Sequence, residues 1–351
     1  MEPLKIAVVG AGRRGTGVWI PVAQALNDRA TLVAICNRGA PRGKEAAENA
    51  SVPHFTNVET MLTDIEPHIV VAAVKASDML DVSLPTLERG ISIIHETPIA
   101  ATLEEADRFI ETAHKSGAHL EVAENFYRMP VERLKGHMLA EGVFGNVWRS
   151  FNDHRTHNYH AISMIRSYIG FDIPIKRVTG WQQHAPVAEH QFRNNPIQQE
   201  RARHAVIEFE NGALGFHGFS SLSLGSPIRD KGKHTGFYAE RGMAFGDDLT
   251  LLTDPDQTQS LTIERTMETV NGQKILKSVH AGDWSWHNPY FEHGIPENHV
   301  ALASTLDKLI QAICENKQPE YGARNGRVDR EVDLAITQSH EAGNIPIELP
   351  L

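Results

Sequence analysis

Through the first third of the chain, short apolar runs alternate with longer stretches in which apolar positions recur at helical spacing. The runs are Leu4–Val9, Thr31–Cys36, Ile69–Val74, Ser92–His95 and His119–Ala123. Ile69–Val74 is apolar almost throughout, the pattern of a parallel strand covered on both faces. Between the runs, the stretch up to Leu26, Met79–Arg89 and Leu103–Ser116 predict helices. The last is the best defined. Thr102 is placed to cap it, Glu104 and Glu105 suit its first turn, and Gly117 ends it. This alternation predicts an α/β fold, a doubly wound parallel sheet with its ligand at the carboxyl ends of the strands.

From Asn125 onward the period changes. A helix over Val131–Glu141 leads into Val147–Phe151, Ala205–Phe209 and Ala213–Phe219, where apolar and polar side chains alternate. Asn211-Gly212 and Asn271-Gly272 are hairpin turn signals between such runs. Two helices, His299–Cys314 and Asp329–Glu341, close the chain. The pattern predicts a domain over residues 1–124 and an α+β domain over 125–351 built on a mostly antiparallel sheet, with 351 residues sufficing for two cores.

Composition narrows the classes of partner. The formal charge of −10 argues against nucleic acid or a membrane surface, and no apolar run approaches the ~20 residues a bilayer needs. The first strand begins at Leu4, which leaves no room for a leader and predicts a cytoplasmic protein. Cys36 and Cys314 are the only cysteines, so neither a disulfide framework nor a thiolate metal site is expected.

Directly after the first strand stands Gly10-Ala11-Gly12-Arg13-Arg14-Gly15. A G-x-G-x-x-G run between strand and helix is a dinucleotide signature. Its first glycine permits the tight turn, the second the approach of a pyrophosphate, the third close packing of helix on strand. The second strand of such a fold usually ends in an acidic residue that binds the ribose 2′-OH. Here the end reads Cys36-Asn37-Arg38, with Arg13 and Arg42 near. Arg38 suits a 2′-phosphate and favours NADP; Asn37 holding the ribose of NAD is the alternative.

The chain resembles the Gfo/Idh/MocA family (glucose–fructose oxidoreductase, inositol dehydrogenase and relatives). The resemblance is carried by residues 10–15, by His95-Glu96-Thr97-Pro98-Ile99-Ala100, and by Glu124-Asn125-Phe126-Tyr127-Arg128-Met129-Pro130. His157-Asn158-Tyr159-His160 with the helix after it, and Tyr321-Gly322-Ala323-Arg324-Asn325-Gly326, carry the rest. It implies a Rossmann domain, a second domain with an open-faced sheet, and a nicotinamide cofactor. It also implies sugar- or cyclitol-like substrates and a homo-oligomer, dimer or tetramer, formed through that sheet. Glu96, Thr97, Pro98, Asn125 and Lys75 are then implied at the cofactor, with Pro98 in the cis form. One departure matters. Most dehydrogenases of the family carry Glu-Lys-Pro where this chain has Glu96-Thr97-Pro98, and a threonine cannot replace the lysine as proton acceptor.

His160 stands where the family usually has a histidine, although Thr156 replaces the aspartate four residues before it. An imidazole exchanges protons near neutral pH, so His160 is the candidate base, with His157, Tyr159 and Lys75 as further catalytic candidates. Arg128, His157, Tyr159, His160 and Trp286 are candidate substrate contacts, Trp286 because indole faces stack on sugar rings; an interdomain salt bridge is the alternative for Arg128 and core packing for Trp286. His154 and His157 lack a second ligand pair, so no metal is expected. The expected function is NAD(P)-dependent hydride transfer at a CH–OH group of a sugar, cyclitol or polyol. The alternatives are an NAD-dependent glycosidase that oxidises its substrate transiently, and a catalytically silent cofactor-binding protein.

Overall fold

The computed structural model describes residues 3–152, 158–192, 195–224, 226–227 and 235–351. The chain forms two compact units, neither contiguous in sequence. The first comprises Met1–Met129, Met267–Lys277 and Asn288–Arg330; the second comprises Pro130–Thr266, Ser278–His287 and Glu331–Leu351.

The first unit holds a six-stranded sheet of β1 (Leu4–Val9), β2 (Ala30–Cys36), β3 (His54–Phe55), β4 (Ile69–Ala72), β5 (Ser92–His95) and β6 (Leu120–Val122). Its spatial order is β3-β2-β1-β4-β5-β6, and every pairing is parallel. All four residues of β4 are buried, as a strand covered on both faces requires. Helices α1 (Ile20–Ala25, preceded by a π-helical turn over Gly15–Trp19), α2 (Ala40–Ala50), α3 (Val58–Ile65), α4 (Met79–Glu88) and α5 (Leu103–Ser116) connect the strands. The capping box on α5 forms as its sequence predicts. Thr102 Oγ1 accepts from Glu105 N–H at 3.2 Å, the Glu105 carboxylate accepts from Thr102 N–H at 3.4 Å, and Gly117 takes the left-handed turn.

The late segment is tied to this unit by buried polar contacts. Asp307, on helix Glu297–Glu315, accepts from Arg29 at 2.5 Å and from the Tyr290 hydroxyl at 3.1 Å. A second contact involves Arg128, expected at a substrate. The guanidinium is instead fully buried, donating to Glu121 at 2.5 Å and to the Tyr127 hydroxyl at 2.8 Å. Glu121, equally buried on β6, also accepts from Tyr321 N–H at 3.0 Å, and Val122 N–H donates to Tyr321 O at 2.9 Å. Arg128 therefore holds the return of the chain at Tyr321 against the edge strand, and its charge is neutralised within the unit.

The second unit contains α6 (Pro130–Ala140), β7 (Val147–Asn152) and α7 (Asn158–Ile169) with a nine-stranded sheet. Across the sheet the strands are Gln257–Thr262, Asp248–Asp254, Gly242–Phe245, Thr235–Ala239, β7, Leu214–Ser220, Asn195–Phe209, Ile175–Phe192 and Ile347–Glu348. β7 pairs parallel with Leu214–Ser220, and the other pairings are antiparallel. Helices cover one face so closely that a Cβ at Gly215 would lie 2.5 Å from Ile165 Cγ2, and one at Gly180 would lie 2.5 Å from Ile336 O. On the other face, Phe151 stacks on Phe216 at 4.8 Å, Tyr238 meets Phe245 at 5.1 Å, and Arg149 lies over Tyr238 at 4.6 Å. Trp181, Tyr238, Met243 and Leu252 are exposed there.

The burial of Arg128 makes a prediction. Arg128→Met strands the Glu121 charge and lowers the free energy of urea unfolding by ~3–5 kcal/mol, and Glu121→Leu in the same chain recovers much of the loss. A loss in the double variant equal to the sum of the two single losses would show that the pair is not coupled.

Candidate functional site

The glycine run leaves β1 through backbone that only glycine fits. Gly10 has φ +106°, and a Cβ there would lie 2.4 Å from Ala73 O; a Cβ on Gly15 would lie 1.9 Å from Gly10 O. Gly12 differs. A Cβ there would meet nothing within 4 Å, so this glycine keeps open space open, where a phosphate of a dinucleotide would sit. Gly10 and Gly12 line a cavity of about 340 Å³ with Asn37, Arg38, Arg42, Val74, Lys75, Asp78 and Asp81 among its walls. Arg13 faces an adjoining hollow of about 430 Å³, shared with Gly12, Thr16, Arg42 and Glu45. The cavity lies at the carboxyl ends of β1, β2 and β4, the place the alternating pattern predicts.

The polar residues here are already organised. Asn37 Oδ1 accepts from Ala11 N–H at 2.9 Å while its amide donates to Gly39 O at 2.8 Å, so its side chain braces the glycine turn. Arg38, three-quarters exposed, pairs with Asp78 at 2.7 Å. Lys75 is exposed at the cavity wall.

Glu96, at the end of β5, is clamped. It accepts from Arg14 Nε at 2.8 Å, from Arg14 Nη2 at 3.1 Å and from the indole N–H of buried Trp19 at 2.6 Å. Arg14, expected at the cofactor, therefore acts first on a neighbouring carboxylate. Thr97–Pro98 is a cis peptide bond. Beside them His95 is sealed in the core, edge-on to Phe109, and burial pushes its imidazole down to about 3. It is a neutral, structural histidine. Asn125, just beyond β6, buries its Oδ1 with no hydrogen-bond partner among the described residues. That orphaned acceptor fits a donor such as the carboxamide of a nicotinamide.

Three residues of this unit escaped the sequence reading. Trp19 reads as an ordinary apolar helix position, and Asp78 lies far in sequence from the residue it pairs with. His299, in the first turn of Glu297–Glu315, is the third: burial and the Arg14 charge hold its imidazole below the usual range.

The catalytic candidates Tyr159 and His160 lie in the second unit, in the first turn of α7. Their rings meet edge-to-face at 4.6 Å, both are half-buried, and Ser163 Oγ donates to His160 O at 2.9 Å. His157 lies outside the described residues. Trp286 is half-buried on strand Trp284–His287, paired with Val279. Among the described residues, no group of three or more His, Cys, Asp or Glu side chains is placed to hold a metal, and no helix is long and apolar enough to cross a membrane.

Comparison with known proteins bears on the same residues. The sequence pattern of the Oxidoreductase family, NAD-binding Rossmann fold (GFO_IDH_MocA), matches residues 4–124. D-glucoside 3-dehydrogenase of Escherichia coli is 29% identical over 153 residues, 42% of either chain. Matches of this kind span only about two fifths of the curated relatives, 39% and 42% in two cases. Among solved structures, levoglucosan dehydrogenase in complex with NADH and levoglucosan superposes with a TM-score of 0.74 at 17% identity, over 99% of this chain and 100% of that one. The WlbA dehydrogenase of Bordetella pertussis, in complex with NADH and UDP-GlcNAcA, gives 0.69 at 17% identity, over 100% and 99%. At that identity the likeness is one of fold, and it extends to both units. Residues 4–124 thus match the sequence pattern of the NAD-binding Rossmann domain of this oxidoreductase family, and their parallel sheet has the strand order β3-β2-β1-β4-β5-β6.

Proposed function

We propose that the chain is an NAD(P)-dependent oxidoreductase acting on a CH–OH group of a sugar, cyclitol or related polyol. The observation that carries the reading is the open cradle at Gly12, set in a domain that matches the family pattern over residues 4–124. The cavity walls would take the adenosine half of the cofactor, and the Asn125 acceptor the carboxamide. When bound, the nicotinamide supplies the hydride acceptor or donor. The substrate class is supported by fold neighbours whose complexes contain levoglucosan and UDP-GlcNAcA.

The protein's part is to position the carbinol and move its proton. Thr97 offers no base, and His160, half-buried and held by its ring contact with Tyr159, takes the hydroxyl proton as hydride leaves the same carbon. Tyr159 and His157 are then the neighbours that orient the substrate. The glycosidase reading is the alternative: there the hydroxyl proton and the hydride are both taken and later returned, and a base is needed in addition for the proton beside the new carbonyl. Homo-oligomers form through the open face of the second sheet, where Tyr238 and Met243 are exposed.

One screen separates the two enzymes. With added NAD or NADP, a free polyol or sugar that drives net formation of reduced nicotinamide identifies the dehydrogenase; release of aglycone from an aryl glycoside without net reduction identifies the glycosidase. On the substrate found, His160→Asn lowers kcat by ~10²–10⁴-fold with cofactor titration unchanged. Retained turnover would remove His160 from the proton transfer, leaving Lys75 or Tyr159 in its place.

Arg38→Asp weakens NADP binding by about tenfold or more and NAD binding far less, since a charge-assisted contact to phosphate contributes ~1.5–3 kcal/mol and solvent screening favours the lower end. Equal changes in both affinities would mean that Arg38 does not read the 2′-phosphate. Tyr238→Glu lowers the sedimenting mass of the native chain; an unchanged mass would place any assembly on another surface.

A further inference from the structure

The end of β2 carries no acidic residue, yet the structure brings one to the same place from another strand. Asp78 follows Lys75 at the carboxyl end of β4, and its Oδ2 lies 2.7 Å from Arg38 Nη2. Both side chains line the cavity that Gly10 and Gly12 bound, with Asp81 beside them.

A second observation concerns the helix that Asp78 begins. Asp78 directly precedes α4 as the last residue of a 3₁₀ turn, Ala76–Asp78, with helical backbone angles, a place from which its side chain could still accept a hydrogen bond from the first turn. Its side chain makes no such bond. The carboxylate is turned to Arg38 instead, while Met79 N–H at the start of the helix donates to Ala76 O. Arg42, which lines the same cavity, has no ion pair among the described residues, so the cavity holds one neutralised arginine and one uncommitted one.

We propose that Asp78 sets the balance between NADH and NADPH in this chain, by engaging Arg38 and by opposing the charge of a 2′-phosphate. The proposal rests on the nucleotide-binding reading above. A dinucleotide with a free 2′-OH leaves the Arg38–Asp78 pair intact. One with a 2′-phosphate must either open the pair or set its own negative charge beside the Asp78 carboxylate. Because the Arg38 side chain is 75% exposed, the pair is weak and the discrimination is graded, not absolute. Asp78 therefore supplies through space the acidic character that the second strand of a dinucleotide fold usually supplies along the chain.

The test is calorimetric titration of NADH and of NADPH into the full chain at one fixed low ionic strength, where exposed charges are least screened. Asp78→Asn keeps the size of the side chain and removes its charge. It is expected to tighten NADPH binding about 5- to 20-fold while NADH changes less than about twofold. The thermal unfolding midpoint stays where it was, since no capping bond is lost. In an Arg38→Ala background the same substitution yields less than half that gain, because the two residues act on the phosphate together. An unchanged NADPH-to-NADH ratio in Asp78→Asn, or a full gain without Arg38, overturns the proposal. If the unmodified chain binds neither dinucleotide, the nucleotide-binding reading falls and this one with it. If it binds either and the ratio does not move, only the role of Asp78 is lost.

Discussion

The close approach of backbone to backbone at the glycine run is the constraint on which the first unit depends. Gly15 brings its Cα so near the Gly10 carbonyl that any side chain would overlap it, and a side chain at Gly10 would in turn overlap the carbonyl of Ala73 beyond β4. Three segments thus meet with no side chain between them, and the Asn37 amide at the end of β2 braces the turn from the other side. The cavity at the carboxyl ends of β1, β2 and β4 is the space that this contact leaves over. A larger residue at Gly10 or Gly15 would part the strands and the helix; one at Gly12 would leave the fold standing and fill the cradle.

Three arginines of this unit show how burial, and not charge alone, decides what a side chain does. Arg128 is sealed against Glu121, where removing either partner would strand a charge in the core, so its place is structural. Arg14 is one-third exposed and clamps Glu96, tying the glycine turn to the end of β5. Arg38 is open to solvent, and its pair with Asp78 can be exchanged for a ligand at little cost. The same functional group is a strut, a clamp and a contact.

The second unit is organised by the unequal faces of its sheet. Glycines at 180 and 215 let helices lie directly on one face, and the first turn of α7 there carries Tyr159 and His160. The opposite face keeps a row of aromatic side chains in contact with one another, Phe151, Phe216, Tyr238 and Phe245 among them. The two roles proposed above, proton transfer and assembly, draw on opposite sides of one sheet.

Local pattern was enough to specify much of this protein. The bounds of Leu4–Val9, Ser92–His95 and Leu103–Ser116 are those the sequence predicts, because strand period, helix caps and glycine stops act within a few residues of one another. The glycine run announced the cofactor cavity for the same reason. Helices Ala40–Ala50 and Val58–Ile65 were not read from the sequence; they bury only Gly43, Ala46 and Ala47 in the first and Met61 and Leu62 in the second. The parallel pairing of β7 with Leu214–Ser220 was invisible too, being a contact between distant segments. What tertiary structure alone decided is the company each charged side chain keeps. Arg38 meets Asp78 across 40 residues, and Glu121 meets Tyr321 across 200. No window of sequence encodes those distances; they follow from which strand ends the packed core brings together.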